Sequence, residues 1–443
     1  MAVPFNATGL WPSANFGDAP KYASGARGKV SMAAADRDVL RGLAERVARN
    51  AARPSESVKR ESWYAHNDLK STKPLVLVDP ENGWNEIVTP ESIVCSGDLA
   101  RRWEMVLRKE LFWGDALKDD KPLEPLFEVG YTYADSEWGV QEDYHGGVSG
   151  QSYTWEGKIQ GPEDVAKIRT PEITIDHETT DETLALAQDV FVDILRVGLR
   201  GIWWWSLGMT LDLARLVGLE KMLYLMYDDP GMVHKIMGLL RDGYLAKLGS
   251  LEQNNLLYLN NAHSYVGSGG IGYTRELPRG HGEAGGKPVV RTADMWCLTE
   301  SQETVGVSPD QFEEFVFQYQ LPIQERFGLN CYGCCEPLQA RWNILKKIPR
   351  LRRVSVSPWA DQEMMAGMLE DKYVYSRKPA PSLLAVAHAD EDAVRADIRA
   401  TLDVTRGCVV ELIMKDNHTL GRNPDNLVQW VRIAREEIDK HVG

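Results

Sequence analysis

No stretch of this 443-residue chain is apolar for long enough to cross a bilayer. Its longest apolar runs, such as Gly201-Ile202-Trp203-Trp204-Trp205, fall far short of the ~20 residues a spanning helix needs. The N-terminal segment has no basic region followed by an apolar one, so it does not read as a secretory signal. Positive charge is in deficit: 50 Lys and Arg face 64 Asp and Glu, a net charge of −14. The basic residues are also dispersed, which argues against a nucleic-acid face and against a basic membrane patch. Cysteine is sparse, with six in all, and three of them crowd together as Cys331, Cys334 and Cys335. A disulfide framework would spread its cysteines through a small secreted chain, so reduced thiols and a cytoplasmic location are expected. There is no Walker A motif, no GxSxG elbow and no HExxH. The one GxGxxG match, Gly267 to Gly272, runs into Tyr273-Thr274-Arg275-Glu276-Leu277-Pro278 and opens no helix. A dinucleotide site is therefore excluded, and a mobile lid is expected there instead.

What the chain does have is a large apolar fraction, 43%, and a repeating pattern. The first ~30 residues, rich in Gly, Ala, Pro and Ser, read as an irregular arm. A helix from about Arg37 to Ala52 follows, with Val39, Leu40, Leu43, Val47 and Ala51 on one side, and Pro54 ends it. From Lys73 onward, short β-rich runs alternate with capped amphipathic helices, the pattern of βα units on a parallel sheet. The strand candidates are residues 74–78, 126–131, 201–205, 256–260, 329–332, 354–357, 373–376 and 409–414. Helix starts are predicted at Asp229-Pro230, at Asn423-Pro424 and at the capping-box spacing Ser308-Pro309-Asp310-Gln311. Residues 83–176 exceed one βα unit and are expected to hold a helix at 99–111 and extra strands. The fold class expected is α/β, a (β/α)8 barrel over 73–443, with an N-terminal arm and helical extension over 1–72. A doubly wound open sheet is the alternative.

Barrel enzymes keep their chemistry where strands end. The segment Leu329-Asn330-Cys331-Tyr332-Gly333-Cys334-Cys335-Glu336-Pro337 places two thiols and a carboxylate there. Glu411-Leu412-Ile413-Met414-Lys415-Asp416-Asn417-His418 places four polar residues at the end of the last strand. Cys334 and Cys335 with Asp416 and His418 form a candidate Zn²⁺ site, since thiolate, carboxylate and imidazole suit that ion. The bland reading is inert buried thiols, with Asp416 and His418 capping a loop. Glu303 and Glu336 are candidate proton carriers, though Glu303 could equally be a solvated loop acid. Trp204, Trp296 and Trp359 could hold a flat apolar substrate, with Asn260, His263 and Arg377 as polar contacts. A lone His is more often structural, and most Arg-Lys pairs, such as Arg377-Lys378, hold nothing.

Several segments resemble the uroporphyrinogen decarboxylase superfamily. They are Tyr227-Asp228-Asp229-Pro230-Gly231-Met232-Val233-His234, then Val307-Ser308-Pro309-Asp310-Gln311-Phe312-Glu313-Glu314-Phe315 with Leu321-Pro322, and finally Asn423-Pro424-Asp425-Asn426-Leu427. The resemblance implies a (β/α)8 barrel. It is nearer to the corrinoid-dependent zinc methyltransferases than to the true decarboxylases, because no Arg-Gln-Ala-Gly-Arg segment is present. The methyltransferases' His-x-Cys pair falls on Asn330 and Tyr332, so the ligand set would be rewired onto Cys334, Cys335 and the Asp416–His418 stretch. The resemblance further implies an O-demethylase: methyl passes from a small methoxylated, aromatic compound to a corrinoid on a partner protein, with Zn²⁺ polarising the ether oxygen. A homodimer is left open. Two alternatives stand beside this reading. One is a metal-free decarboxylase or lyase of a small carboxylate, anchored by Arg377 or Lys378. The other is a catalytically silent binding protein.

Overall fold

The computed structural model describes residues 30–70, 73–140, 143–146, 153–202, 204–278, 281–284 and 287–442. The described residues open with two helices, Ala34–Ala51 and Pro54–Asn67, and the irregular arm expected over the first ~30 residues lies outside the described residues. Pro54 does stop the first helix, but it also opens the second, because a proline at the first helical position loses no hydrogen bond. Strand β1 (Leu75–Val78) follows, then a helix at Asp98–Phe112 and β2 (Leu126–Gly130). The long segment after it contains the expected extra strands: β3 (Tyr133–Asp135), β4 (Asp143–Gly146), β5 (Tyr153–Glu156) and β6 (Ile173–Ile175). Next come β7 (Arg196–Arg200), the short strands β8 (Tyr265–Val266) and β9 (Gly270–Ile271), and the pair β10 (His281–Ala284) and β11 (Lys287–Val289). The last five are β12 (Trp296–Thr299), β13 (Leu329–Tyr332), β14 (Leu351–Val356), β15 (Val374–Arg377) and β16 (Val409–Met414).

These strands give a mixed α/β fold around a six-stranded parallel sheet ordered β1-β16-β15-β14-β13-β12, with a separate parallel pair β2-β7. A closed ring of eight hydrogen-bonded strands is not formed among the described residues. Two sequence expectations fail here for one reason. The apolar run at 201–205 is not a strand; the strand is β7, which ends at Arg200, and residue 203 lies outside the described residues. Residues 256–260 approach it closely without forming a ladder. A Cβ on Gly201 would lie 2.6 Å from Leu256 O, and Ile202 N donates to Leu256 O at 2.7 Å. Beyond that point the Asn260 side chain takes over the pairing, accepting Trp296 N at 2.8 Å and donating to Trp296 O at 3.0 Å. A side chain that mimics a strand leaves no periodic signature. β12 itself was not among the strand candidates.

The sheet is buried on both faces, as parallel sheets are. Val76, Val78, Val354, Val356, Tyr375, Val410, Leu412 and Met414 face the helical layer and join the main core. The alternate residues Leu75, Leu77, Ile413, Trp296, Leu298, Leu329 and Cys331 face the other way, toward the β8–β9 hairpin. This hairpin is the Gly-rich segment read above as a mobile lid, and the structure corrects that reading. The hairpin is buried against the sheet, and its glycines are there for packing. A Cβ on Gly270 would lie 2.2 Å from Arg353 Cζ, and one on Gly269, whose φ is +133°, 2.4 Å from Ile413 Cγ2. Asn67 Nδ2, at the end of the second helix, holds the hairpin through Ile271 O (2.8 Å) and Tyr273 O (2.7 Å). The neighbouring His66 Nε2 reaches Glu411 Oε2 at 3.0 Å, and Glu411 in turn pairs with Arg353 Nε at 2.9 Å. Among the described residues, no helix is long and apolar enough to cross a membrane.

Candidate functional site

The loops after β1, β13, β15 and β16 bring a charged cluster together at the C-terminal strand ends. Lys415 Nζ lies 3.3 Å from Glu81 Oε1 and 2.8 Å from Asp416 Oδ1. Cys335 Sγ approaches Asp416 Oδ2 at 3.9 Å, and Cys334 Sγ lies 3.5 Å from Cys335 Sγ. Lys378 Nζ donates to Ser376 O and Oγ at 3.1 and 2.5 Å. Burial raises the Glu81 carboxyl well above its usual range despite Lys415, with Asp416 and Asp79 adding to the rise. Partial burial raises Asp416, but Lys415, a hydrogen bond from Glu81 and Lys378 together hold it below its usual range. Burial pushes Lys378 down to about 8. It would do the same to Lys415, but negative charge developing on Cys334, Glu81 and Asp416 keeps that amine charged. The cluster therefore sets an acid that holds its proton more tightly than usual beside one that gives it up more readily, across a single ammonium.

A second group of acids stands behind it, after β12 and β13. Glu336 is fully buried and accepts Ser301 N at 2.8 Å and Cys334 N at 2.9 Å, so it ties the two loops together. Glu303 accepts Thr210 Oγ1 at 2.7 Å, and Glu300 accepts Gln302 N at 3.0 Å. Burial raises all three carboxyls, and repulsion from the neighbouring acids adds to the rise at Glu300 and Glu303. Carboxyls in such surroundings stay protonated toward neutral pH and can donate.

A small cavity of about 20 Å³, on the scale of a bound water, opens between Ile202, Trp204 and Trp205, the 258–267 segment and β12. Trp204, Trp205, Tyr258, Tyr265 and Trp296 supply its aromatic lining, and Asn260 its amide. Three of the expected substrate contacts, Trp204, Asn260 and Trp296, thus line one cavity. His263 sits behind it, with Nε2 3.2 Å from the Tyr258 hydroxyl and 3.3 Å from Glu128 Oε1. Tyr265 links the cavity to the charged cluster: it lines the one, and its hydroxyl lies in the field of Lys415, Asp79, Glu81 and Asp416. Trp359 and Arg377 are not brought there. Trp359 is 76% exposed on the loop after β14. Arg377 is buried in the helical layer against Asp397 (3.1 Å) and Gln362 (3.0 Å), because its position on β15 faces away from the hairpin. Glu81, Lys415, Tyr265 and Glu300 escaped the sequence reading. The signal for Glu81 was available: Asp79-Pro80-Glu81 follows the end of the first strand, Val78.

The zinc expectation meets the geometry at Cys334, Cys335 and Asp416, which converge. His418 does not join them; its Nδ1 pairs with Asn82 Nδ2 at 3.2 Å. Among the described residues, no group of three or more His, Cys, Asp or Glu side chains is placed to hold a metal ion. Lys415 already supplies, between Asp416 and Glu81, the positive charge that a metal ion would bring. The hydrogen bond from Cys335 and burial also raise the Cys334 thiol well above its usual range, away from the thiolate a ligand must be. As arranged, this donor set does not fit Zn²⁺.

No protein-family model matches the chain, and no curated protein sequence matches it. Among solved structures it is similar to a methyltransferase from Methanosarcina mazei, with 9% identity, 87% of this chain and 99% of that chain covered, and a TM-score of 0.47. A likeness that weak carries no argument about chemistry, so function is argued from the site.

Proposed function

We propose that this chain is a methyltransferase that demethylates a small methoxylated aromatic compound and passes the methyl group to a corrinoid bound by a partner protein. The proposal takes the parallel sheet as part of a (β/α)8 barrel, as the motif resemblance implies. One observation carries it: Tyr265 lines a small aromatic cavity, which a ring would have to widen, and stands in the field of the strand-end group where burial raises the Glu81 carboxyl. An aryl methyl ether resists attack because phenolate is a poor leaving group. Trp204, Trp205 and Trp296 would hold the ring, while a neutral carboxyl gives its proton to the ether oxygen as the carbon–oxygen bond breaks. Glu81 is best placed by its partners, with Lys415 stabilising the carboxylate left behind. General acid catalysis of this kind is worth ~10²–10⁴ in rate. Zn²⁺ would serve the same oxygen as a Lewis acid, but no step here depends on it.

The test mixes the protein, a reduced corrinoid protein and a panel of methoxylated aromatics, and follows the change in corrinoid absorbance on methylation. Methylation that fails in Glu81→Gln supports the reading, and no methylation across the panel ends it. Elemental analysis accompanies the assay. Stoichiometric zinc that disappears in a Cys334→Ala, Cys335→Ala double variant would restore a metal to the mechanism. The buried, partly deprotonated Lys378 favours a second reading, a metal-free lyase of a small carboxylate, for which carbon dioxide release is the readout.

A further inference from the structure

We propose that Cys334 and Cys335 are a modification site for hydroperoxides, closing into a disulfide between adjacent residues that disables the strand-end cluster. The two sulfurs lie 3.5 Å apart, on a turn that follows Gly333 at a φ of +91°. That is about 1.5 Å more than a disulfide bond, a gap that side-chain rotation can close. The two thiols differ in access. Cys334 is 4% exposed, while Cys335 is half-buried at the cluster's edge. Cys335 is therefore the thiol that meets the oxidant. Its sulfur attacks the peroxide, the oxygen–oxygen bond breaks, and a sulfenic acid and one water form. The Cys334 sulfur then displaces hydroxide from the sulfenic sulfur, which leaves as a second water. Two thiols lose two electrons and two protons, and one peroxide becomes two waters.

Cys331 is not the partner. It lies on the hairpin side of β13, where Arg353 Nη1 stands 3.9 Å from its sulfur. A disulfide across one peptide bond joins Cα atoms only ~3.8 Å apart, below the usual window of ~4.4–6.8 Å. The resulting strain makes it easily reduced, which suits a reversible modification and not a structural staple. Closure also draws Cys335 Sγ away from Asp416, changing the cluster's charge balance. The inference does not depend on the methyl-transfer reading, because its readout is the mass of a peptide.

The experiment treats the full chain with hydrogen peroxide, blocks free thiols with iodoacetamide and measures the tryptic peptide Phe327–Arg341. The expected product carries one carbamidomethyl group instead of three, and dithiothreitol restores all three. The disulfide should persist in Cys331→Ser and vanish in both Cys334→Ser and Cys335→Ser. Three alkylated cysteines in peroxide-treated wild-type protein would overturn the proposal whatever the variants do. So would a disulfide that survives in Cys334→Ser.

Discussion

Two buried polar networks sit on the same parallel sheet and could hardly differ more. The one beneath the hairpin, His66–Glu411–Arg353–Asn67, answers each charge with a partner: Glu411 is held well below the usual carboxylate range, despite its burial, by Arg353 and His66. The one at the strand ends sets Asp416, held below its usual range, and Glu81, raised well above it, around a single Lys415. The first joins a helix end and a hairpin to the sheet. The second holds its protons in the wrong places for stability, which is the usual mark of a reactive site. Buried polarity alone therefore does not locate function; the sign of the perturbation does.

The sharpest way to break this comparison is Arg353→Met. It leaves Glu411 buried without its cation, and a loss of about 3–5 kcal/mol in unfolding free energy is expected by denaturant titration. A change under 1 kcal/mol would show that the lower network is not structural. Acid provides the next test, at Glu128, which His263, Arg200 and Tyr258 hold at about 2 despite its burial, against an ordinary 4.5. A depressed carboxyl contributes stability above pH 4.5 and loses it as pH falls through the folded value. Glu128→Gln should thus remove about 3 kcal/mol at neutral pH and flatten the acid limb between pH 4.5 and 2. An unchanged limb would mean that His263 and Arg200 do not hold that carboxylate.

Glu81→Gln should act in the opposite sense to Arg353→Met: activity falls by ~10² or more while unfolding shifts little, since burial already disfavours the charge that the substitution removes. A variant that loses stability in proportion would place Glu81 with the structural network. Gly269→Ala tests the hairpin as a plug. Its positive φ and the contact with Ile413 should cost about 1–3 kcal/mol, and a tolerated substitution would revive the mobile lid. Smallest of all, Trp359→Ala should alter stability by no more than about 0.5 kcal/mol, because the ring is mostly in solvent.

Local chemistry made part of the molecule legible from its residues. Asp229 and Ser308 cap helices as expected, through Met232 N and Gln311 N, because a capping side chain needs only its own next turn. Cys334, Cys335 and Asp416 were expected together at strand ends, and they meet, because parallel strands deliver their following loops to one edge. Trp204, Asn260 and Trp296 share a cavity for a similar reason. Arg377 shows the limit: alternation along a strand says that neighbours point oppositely, and only packing says which of Arg377 and Lys378 faces the site.

By itself, then, the sequence determined the alternation of strands and helices, the helix caps and the strand-end placement of thiols and acids. All of these follow from interactions within a few residues. Only the tertiary structure decided that the glycines at 267–272 fold against the sheet and do not cover it. It also decided that an asparagine side chain stands in for a strand at Trp296, and that a lysine, where a metal was expected, sits between Glu81 and Asp416. Each of these depends on which distant surfaces meet in a close-packed interior, and no local pattern encodes that meeting.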